Sequence, residues 1–323
     1  MDGSLTVMVL IVMSFYGMLN ALSTILLKYG IHRIGGLNLD DSASIIKDGI
    51  KATIKLLTNF WWLIGGILGI CGFLIYFLSL RWFGLSVVKP LAAVSLVFIF
   101  FFAAIIFKER LHVSEWLGMA VLITGTILIS LAPVTTTTTY NISLLVLIFP
   151  LAIALFVIMI LVMYKLDIGE KWKNPEFILP IFAGVFLGIG SIYTKGISLG
   201  IEESVFATSS VSLLLLLSLV GYGISYALGL MTNQLAFEKG RLSIVTPITG
   251  SIVILISLFG AALVYSEEIL VTFEGEVNLF SFIKIVGVVL ILMSLFLLRR
   301  EVISDKSFEE INNQLEQLET SEV

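Results

Sequence analysis

The chain has 323 residues, of which 58% are hydrophobic and 13% are charged, and its mean hydropathy is +1.08. Soluble domains carry roughly 25% charged and 45–50% apolar residues, so this composition excludes a water-soluble globular protein. The formal net charge is −4, but the segment after Arg300 alone holds seven acidic residues and one lysine. The acidity therefore belongs to the tail and gives no indication of nucleic-acid binding.

Nine apolar runs follow one another along the chain. A membrane-spanning helix needs about 20 predominantly apolar residues, and these runs are continuous instead of alternating with a period of two, which favours helices over a barrel. We predict an all-α integral membrane protein with about nine transmembrane helices in a lipid bilayer. The runs lie near residues 4–27, 60–80, 85–107, 116–133, 142–164, 177–194, 211–237, 242–265 and 279–298.

The lysines and arginines between these runs are distributed unequally. Fifteen of them fall in alternate connections and the C-terminal segment, whereas two, Arg81 and Lys195, fall in the other connections. Because cytoplasmic loops carry an excess of basic residues, we predict an N-terminus outside, a cytoplasmic C-terminus and a location in the plasma membrane.

Two segments outside the runs carry apolar stripes. Residues 41–58 place isoleucines and a leucine at helical spacing beside a stripe of lysines, which predicts an amphipathic helix on the cytoplasmic leaflet; a solvated linker is the alternative. Residues 301–323 form an acidic cytoplasmic tail with one apolar stripe. We favour a solubilising tail; docking of the stripe on the protein, or on a second copy in a homodimer, is the alternative.

The two halves of the sequence resemble each other. LSVVKPL at 85–91 matches LSIVTPI at 242–248 at an offset of 157 residues, which aligns Pro90 with Pro247. Each stretch follows a glycine-containing run, and each precedes an apolar run that ends in an acidic residue. The similarity indicates a duplicated unit.

The duplication predicts the domain organisation. Residues 1–135 form a first four-helix repeat, 142–164 a connecting helix and 177–300 a second four-helix repeat. Because one connecting span separates the repeats, the second is inverted relative to the first. Inverted repeats are typical of secondary transporters that work by alternating access, although a duplication without mechanistic meaning would give the same pattern.

These half-repeats resemble the drug/metabolite transporter superfamily and its EamA-like units. The first half contains PLAAVSLVFIFFFAAIIFKERLHVSEWLGMAVLITGTILISLAP, and the second contains LSIVTPI followed by Glu267 and Glu268. Within the superfamily, these stretches are most similar to NIPA-type magnesium transporters, over about residues 10–300. The resemblance implies a nine-span transporter for magnesium or a related divalent cation.

Polar side chains at membrane depth are costly unless they have a role, so they are the candidates for lining a substrate pathway. Asn233 and Gln234 stand out because two adjacent amides within an apolar helix are unusual; interhelical hydrogen bonding is the alternative. The two aligned prolines each free a backbone carbonyl, unless they merely begin a helix. The predicted pathway residues are Asn20, Ser23, Thr24, Lys89, Pro90, Ser95, Ser191, Thr194, Tyr226, Asn233, Gln234, Thr246, Pro247 and Ser251.

Lys89 conflicts with a magnesium site. Such sites use carboxylates, carbonyls and water, and an ammonium group would repel the ion, whereas the aligned residue in the second half is the neutral Thr246. Lys89 would attract an anionic substrate, or extend along its aliphatic stem to the outer interface. We favour the second interpretation.

No Asp or Glu lies in the middle of a predicted span, which disfavours proton coupling through a buried carboxylate. Glu109, at the edge of a span, is the candidate for collecting hydrated magnesium, and a plain helix-end charge is the alternative. The function predicted is a secondary transporter for magnesium or a related divalent cation; the alternative is an exporter of small organic metabolites or drugs. We expect no enzyme and no cofactor, because His32 and His112 lie in loops without a metal-ligand pair or a nucleophilic triad.

The orientation is tested by cysteine labelling. In a Cys71→Ser background, a cysteine at Thr137 is expected to react with a membrane-impermeant maleimide added outside intact cells, and a cysteine at Lys171 is not, because positive-inside counting places them on opposite sides. The reverse labelling would contradict the predicted orientation.

Overall fold

The computed structural model describes residues 3–33, 54–82, 85–106, 112–131, 140–165, 175–206, 213–267, 272–273, 276–277 and 282–297. Within these ranges the protein is almost entirely helical. The helices are α1 (Gly3–Arg33), α2 (Phe60–Trp82), α3 (Leu85–Ala92), α4 (Val94–Ile106), α5 (Val113–Leu131), α6 (Ile142–Lys165), α7 (Pro175–Phe206), α8 (Leu213–Lys239), α9 (Leu242–Tyr265) and α10 (Phe282–Leu297).

Eight segments of the described chain are long and apolar enough to cross a membrane, one of them formed by α3 and α4 together. Helix α10 is apolar but shorter, and it coincides with the ninth predicted span. The prediction of an all-α integral membrane protein is therefore confirmed. A small antiparallel pairing between β1 (Thr272–Phe273) and β2 (Glu276–Val277) was not predicted.

Several predictions fall largely outside the described residues. Of the amphipathic segment 41–58, residues 54–58 are helical and expose Ile54 and Leu57, and the rest lies outside. The acidic tail 301–323, with the homodimer prediction attached to it, also lies outside the described ranges, as does Glu109.

The helices differ greatly in how much of their surface is covered by protein. Two-thirds of the most apolar window is buried in both α7 and α9 (67% each), against 17% in α6. Because so little of α6, the predicted connecting helix, is covered by protein, its apolar side chains are suited to contact lipid. The large hydrophobic side chains exposed on α6 are Val146, Leu147, Leu151, Ile153, Val157, Ile158, Ile160 and Leu161.

The two proline-containing spans run antiparallel and differ in continuity. Leu85, at the start of α3, contacts Glu267 beyond the end of α9, while Leu96 lies against Gly250 near the start of α9. Pro90 lies within α3, and the helix breaks at Ala93, whose N–H donates to the Pro90 carbonyl at 2.9 Å. Pro247, in contrast, lies within the continuous helix α9.

Buried carboxylates join the halves at both ends of this antiparallel pair. At one end, Glu267 is 2% exposed and its Oε1 accepts a hydrogen bond from the Leu85 N–H at 3.0 Å. At the other end, Glu115 in the first turn of α5 is fully buried and pairs with Arg241, which precedes α9, at 3.2 Å. A carboxylate near a helix N-terminus is stabilised by the unpaired backbone N–H groups and the helix dipole.

Glycines allow the closest helix crossings. A Cβ atom on Gly125 of α5 would lie 2.7 Å from the carbonyl oxygen of Gly287 of α10, and a Cβ atom on Gly287 would lie 2.7 Å from the Gly125 carbonyl. Small residues at such crossings let helix backbones pack directly in lipid, where no hydrophobic driving force holds helices together. By contrast, Gly66 and Gly223 have nothing within 4 Å of an added Cβ atom.

This contrast gives a matched pair of substitutions. Gly125→Ala is expected to lower the free energy of unfolding by about 1–3 kcal/mol, because it forces α5 and α10 apart. Gly66→Ala is expected to leave it unchanged or raise it by up to about 1 kcal/mol, because alanine has the higher helix propensity and meets open space. The melting temperatures of the purified variants in detergent measure both effects; equal shifts would contradict the close crossing.

Candidate functional site

A cavity of about 240 Å³ lies at the centre of the helical assembly. It is lined by α1, α2, α3 and α4 from the first half of the chain and by α7, α8 and α9 from the second half. The volume lies somewhat below the roughly 300–1,000 Å³ typical of pockets for drug-sized ligands. A small solute suits this cavity better than a large one.

Ten of the predicted pathway residues line this cavity, although they are far apart in the sequence. They are Asn20, Ser23, Thr24, Lys89, Ser95, Ser191, Thr194, Tyr226, Asn233 and Thr246.

Four predicted pathway residues do not belong to the described lining. Pro90 and Pro247 are buried in their helices. Gln234 follows the cavity-lining Asn233, but successive residues project about 100° apart on a helix, so its side chain is buried elsewhere, at 4% exposure. Ser251 is fully buried, and like Gln234 it has no hydrogen-bond partner among the described residues.

The cavity has an aromatic end that contains a cation. The Lys89 Nζ lies 4.7 Å from the centroid of the Tyr76 ring, which itself packs against Tyr16 at 5.8 Å. At the same end, Tyr222 stacks on Phe73 at 5.4 Å and on Tyr226. The ammonium group thus points into the cavity, which differs from the interpretation favoured from the sequence, that Lys89 extends to the outer interface.

The hydroxyl groups of the lining bond mainly to backbone. Ser23 donates to the Gly65 carbonyl at 2.7 Å, and Thr24, Ser191 and Thr194 each donate to the carbonyl four residues earlier in their own helix. The bonds of Thr24, Ser191 and Thr194 satisfy the hydroxyl group within its own helix, without a partner helix. They leave the oxygen lone pairs of these groups as acceptors toward the cavity.

Two amides form the remaining polar contacts of the lining. The Asn20 side-chain amide donates to the Ser95 hydroxyl at 3.2 Å, and the Thr249 hydroxyl lies 3.5 Å from the Asn233 side-chain oxygen. The Thr246 hydroxyl, buried at the same end as Asn233, has no hydrogen-bond partner among the described residues. This end therefore presents amide and hydroxyl groups, whereas the other presents rings and an ammonium group.

The lining repeats the internal symmetry of the sequence. At the offset of 157 residues that aligns the two prolines, four pairs of positions all line the cavity: Lys89 with Thr246, Ala92 with Thr249, Ala93 with Gly250, and Leu96 with Val253. Since α3 and α9 run antiparallel, Lys89 and Thr246 lie toward opposite ends of the cavity. Equivalent positions thus carry different chemistry.

Sequence reasoning missed the aromatic part of the lining, namely Tyr16, Phe73, Tyr76 and Tyr222. The signal was present, because Phe73 and Tyr76 are three residues apart and Tyr222 and Tyr226 are four apart, spacings that place side chains on one helix face. Aromatic side chains are common in buried cores, however, so this spacing alone does not distinguish a cavity from ordinary packing.

The described residues include no group of three or more His, Cys, Asp or Glu side chains that could hold a metal ion. None of the described lining residues is acidic. Glu109, the residue predicted to collect magnesium, is outside the described ranges.

The fold and cavity define a polytopic α-helical membrane protein with a solute-sized cavity, lined by both apolar and polar side chains, between its two halves. Residues 10–131 match the model of the EamA-like transporter family, a segment that runs from α1 to the end of α5. This match supports a relationship with the drug/metabolite transporter superfamily, whose members are membrane transporters and not enzymes. No curated protein and no solved structure matches the chain.

Proposed function

We propose that this protein is a secondary transporter that moves a small organic solute across the plasma membrane by alternating access. The observation that carries the proposal is the central cavity, whose polar groups come from both halves of the chain and whose lining includes positions related by the internal repeat. Transport sites in inverted-repeat proteins lie near the bilayer midplane at the interface between repeats.

The helix directions support an inverted relationship between the halves. Gly184 and Gly188 of α7 lie against Ile252 and Ile256 of α9, so these two helices run parallel. The Lys28 ammonium group near the end of α1 donates to the Gly240 carbonyl, just before α9, at 3.3 Å. The end of α1 therefore lies near the beginning of α9, which gives α1 and α7 opposite directions, as expected of two repeats related by inversion.

Magnesium is the second candidate substrate, and it rests on the resemblance of the proline-containing stretches to NIPA-type transporters. The lining offers carbonyls, hydroxyls and amides, which are ligands that magnesium accepts. The Lys89 ammonium group in the same cavity is unfavourable for a divalent cation, so the cavity favours the organic solute.

Transport into proteoliposomes tests the proposal. Purified protein is reconstituted, incubated with a panel of polar organic solutes, and the retained solutes are measured by mass spectrometry beside protein-free liposomes; a magnesium-sensitive dye inside parallel vesicles reports magnesium entry. We expect saturable uptake of at least one organic solute and no magnesium entry above the protein-free rate. Saturable magnesium entry without solute uptake would favour the second candidate. If neither magnesium nor any solute enters above the protein-free rate, the transporter proposal is contradicted.

Two adjacent amides provide matched variants for this assay. Asn233→Leu is expected to reduce uptake at least tenfold, because it removes an amide from the cavity wall. Gln234→Met is expected to retain uptake and to raise stability by roughly 1–3 kcal/mol, because it replaces a buried amide without a partner by an apolar side chain. Loss of uptake in both variants, or in Gln234→Met alone, would contradict the assignment of the cavity as the transport site.

A further inference from the structure

We propose that the solute carried in the central cavity is a small organic anion whose carboxylate binds the Lys89 ammonium group. This inference rests on the proposed function and names the substrate class of the same cavity. It is independent of the resemblance to magnesium transporters, and it follows from the charge and shape of the cavity wall.

The charge of the wall is unbalanced. Lys89 is the only basic residue among the described lining residues, and none of them is acidic. A charged side chain at membrane depth is usually paired with another charge or with backbone carbonyls, and unpaired ones mark substrate pathways. The Tyr76 ring, 4.7 Å from the ammonium nitrogen, stabilises the cation only partly, since a cation–π contact is weaker than an ion pair in a desolvated site.

Lys89 lines the cavity, and its ammonium group lies over the ring of Tyr76, which lines the cavity too. Because α3 ends at the break next to Ala93, Lys89 lies on a short helix of eight residues whose start is held by Glu267. That carboxylate accepts from the Leu85 backbone, one helical turn from Lys89. The three donor hydrogens of the ammonium group are suited to carboxylate oxygens.

The rest of this cavity end is suited to bind the apolar or aromatic part of the solute. The stacked rings of Phe73, Tyr222 and Tyr226 face it from α2 and α8, and Tyr16 closes it from α1. Flat side chains at these spacings can stack on a ring or contact a short hydrocarbon chain.

Binding of three nearly isosteric probes tests this inference. Phenylacetate, phenylacetamide and phenethylamine differ mainly in charge, and the shift they cause in the melting temperature of the full-length protein in detergent gives their affinities. We expect phenylacetate to bind about tenfold or more tightly than phenylacetamide, because a charge-assisted hydrogen bond to the ammonium group is stronger than a neutral one. Phenethylamine is expected to bind least tightly. Equal affinities, or preference for the amide or the amine, would overturn the inference.

Variants connect the preference to one side chain. Lys89→Gln is expected to reduce the preference for phenylacetate over phenylacetamide to less than about twofold, and Lys89→Arg is expected to keep most of it, because the positive charge remains. Lys55→Gln is the matched control, since Lys55 is exposed on the helical segment before α2, and it should leave the preference unchanged. A preference that persists in Lys89→Gln would overturn the inference; if that variant does not fold, a preference lost in Lys89→Arg would overturn it.

The two proposals fail in different ways. Saturable uptake of neutral or cationic solutes, with no binding of phenylacetate, would overturn the anion inference and leave the transporter proposal standing. Absence of uptake for the whole panel, together with absence of binding for all three probes, would contradict both.

Discussion

The cost of placing a polar group in an apolar environment governs the structure of this protein. Many hydroxyl groups within its helices avoid that cost by donating to a carbonyl of their own helix, as Thr24, Thr194 and Ser257 do. The buried carboxylates Glu115 and Glu267 lie at helix ends, where backbone N–H groups are free to bind them. Polar side chains from helices of both halves line one cavity, and polar groups concentrated within an otherwise apolar bundle are candidates for a functional site.

Close glycine packing brings together helices that line that cavity. In the second half, Gly200 and Gly221 bring α8 against α7, while Gly184 and Gly260 bring α9 against the same helix. These contacts make α7 and α9 the most buried helices, with only one face of each turned to the cavity. The first half packs less completely, and its proline-containing span is broken at Ala93, so related sequences have produced one continuous helix and one divided helix. The difference shows that an aligned proline does not by itself decide whether a helix continues.

The hydropathy of the sequence predicts the membrane-spanning helices, because bilayer thickness and backbone hydrogen bonding permit few alternatives. The positions of the helices follow from the apolar runs. The convergence of Asn20, Ser191 and Asn233 on one cavity follows from the expectation that polar residues at membrane depth line a pathway. The sequence could not separate Asn233 from Gln234, because that requires the rotation of α8 about its axis, which is set by contacts with α7. Nor could the sequence predict that the Lys89 side chain points into the cavity, since this depends on the position of Tyr76 in the packed structure.

Alternating access requires the central cavity to be open to each side of the membrane in turn. In a Cys71→Ser background, a cysteine at Thr246 can be exposed to a membrane-impermeant maleimide in right-side-out and in inside-out vesicles. We expect it to react from both sides, and a transported solute at saturating concentration should slow both reactions. Reaction from one side alone, unchanged under every condition, would show a static pocket and would contradict alternating access.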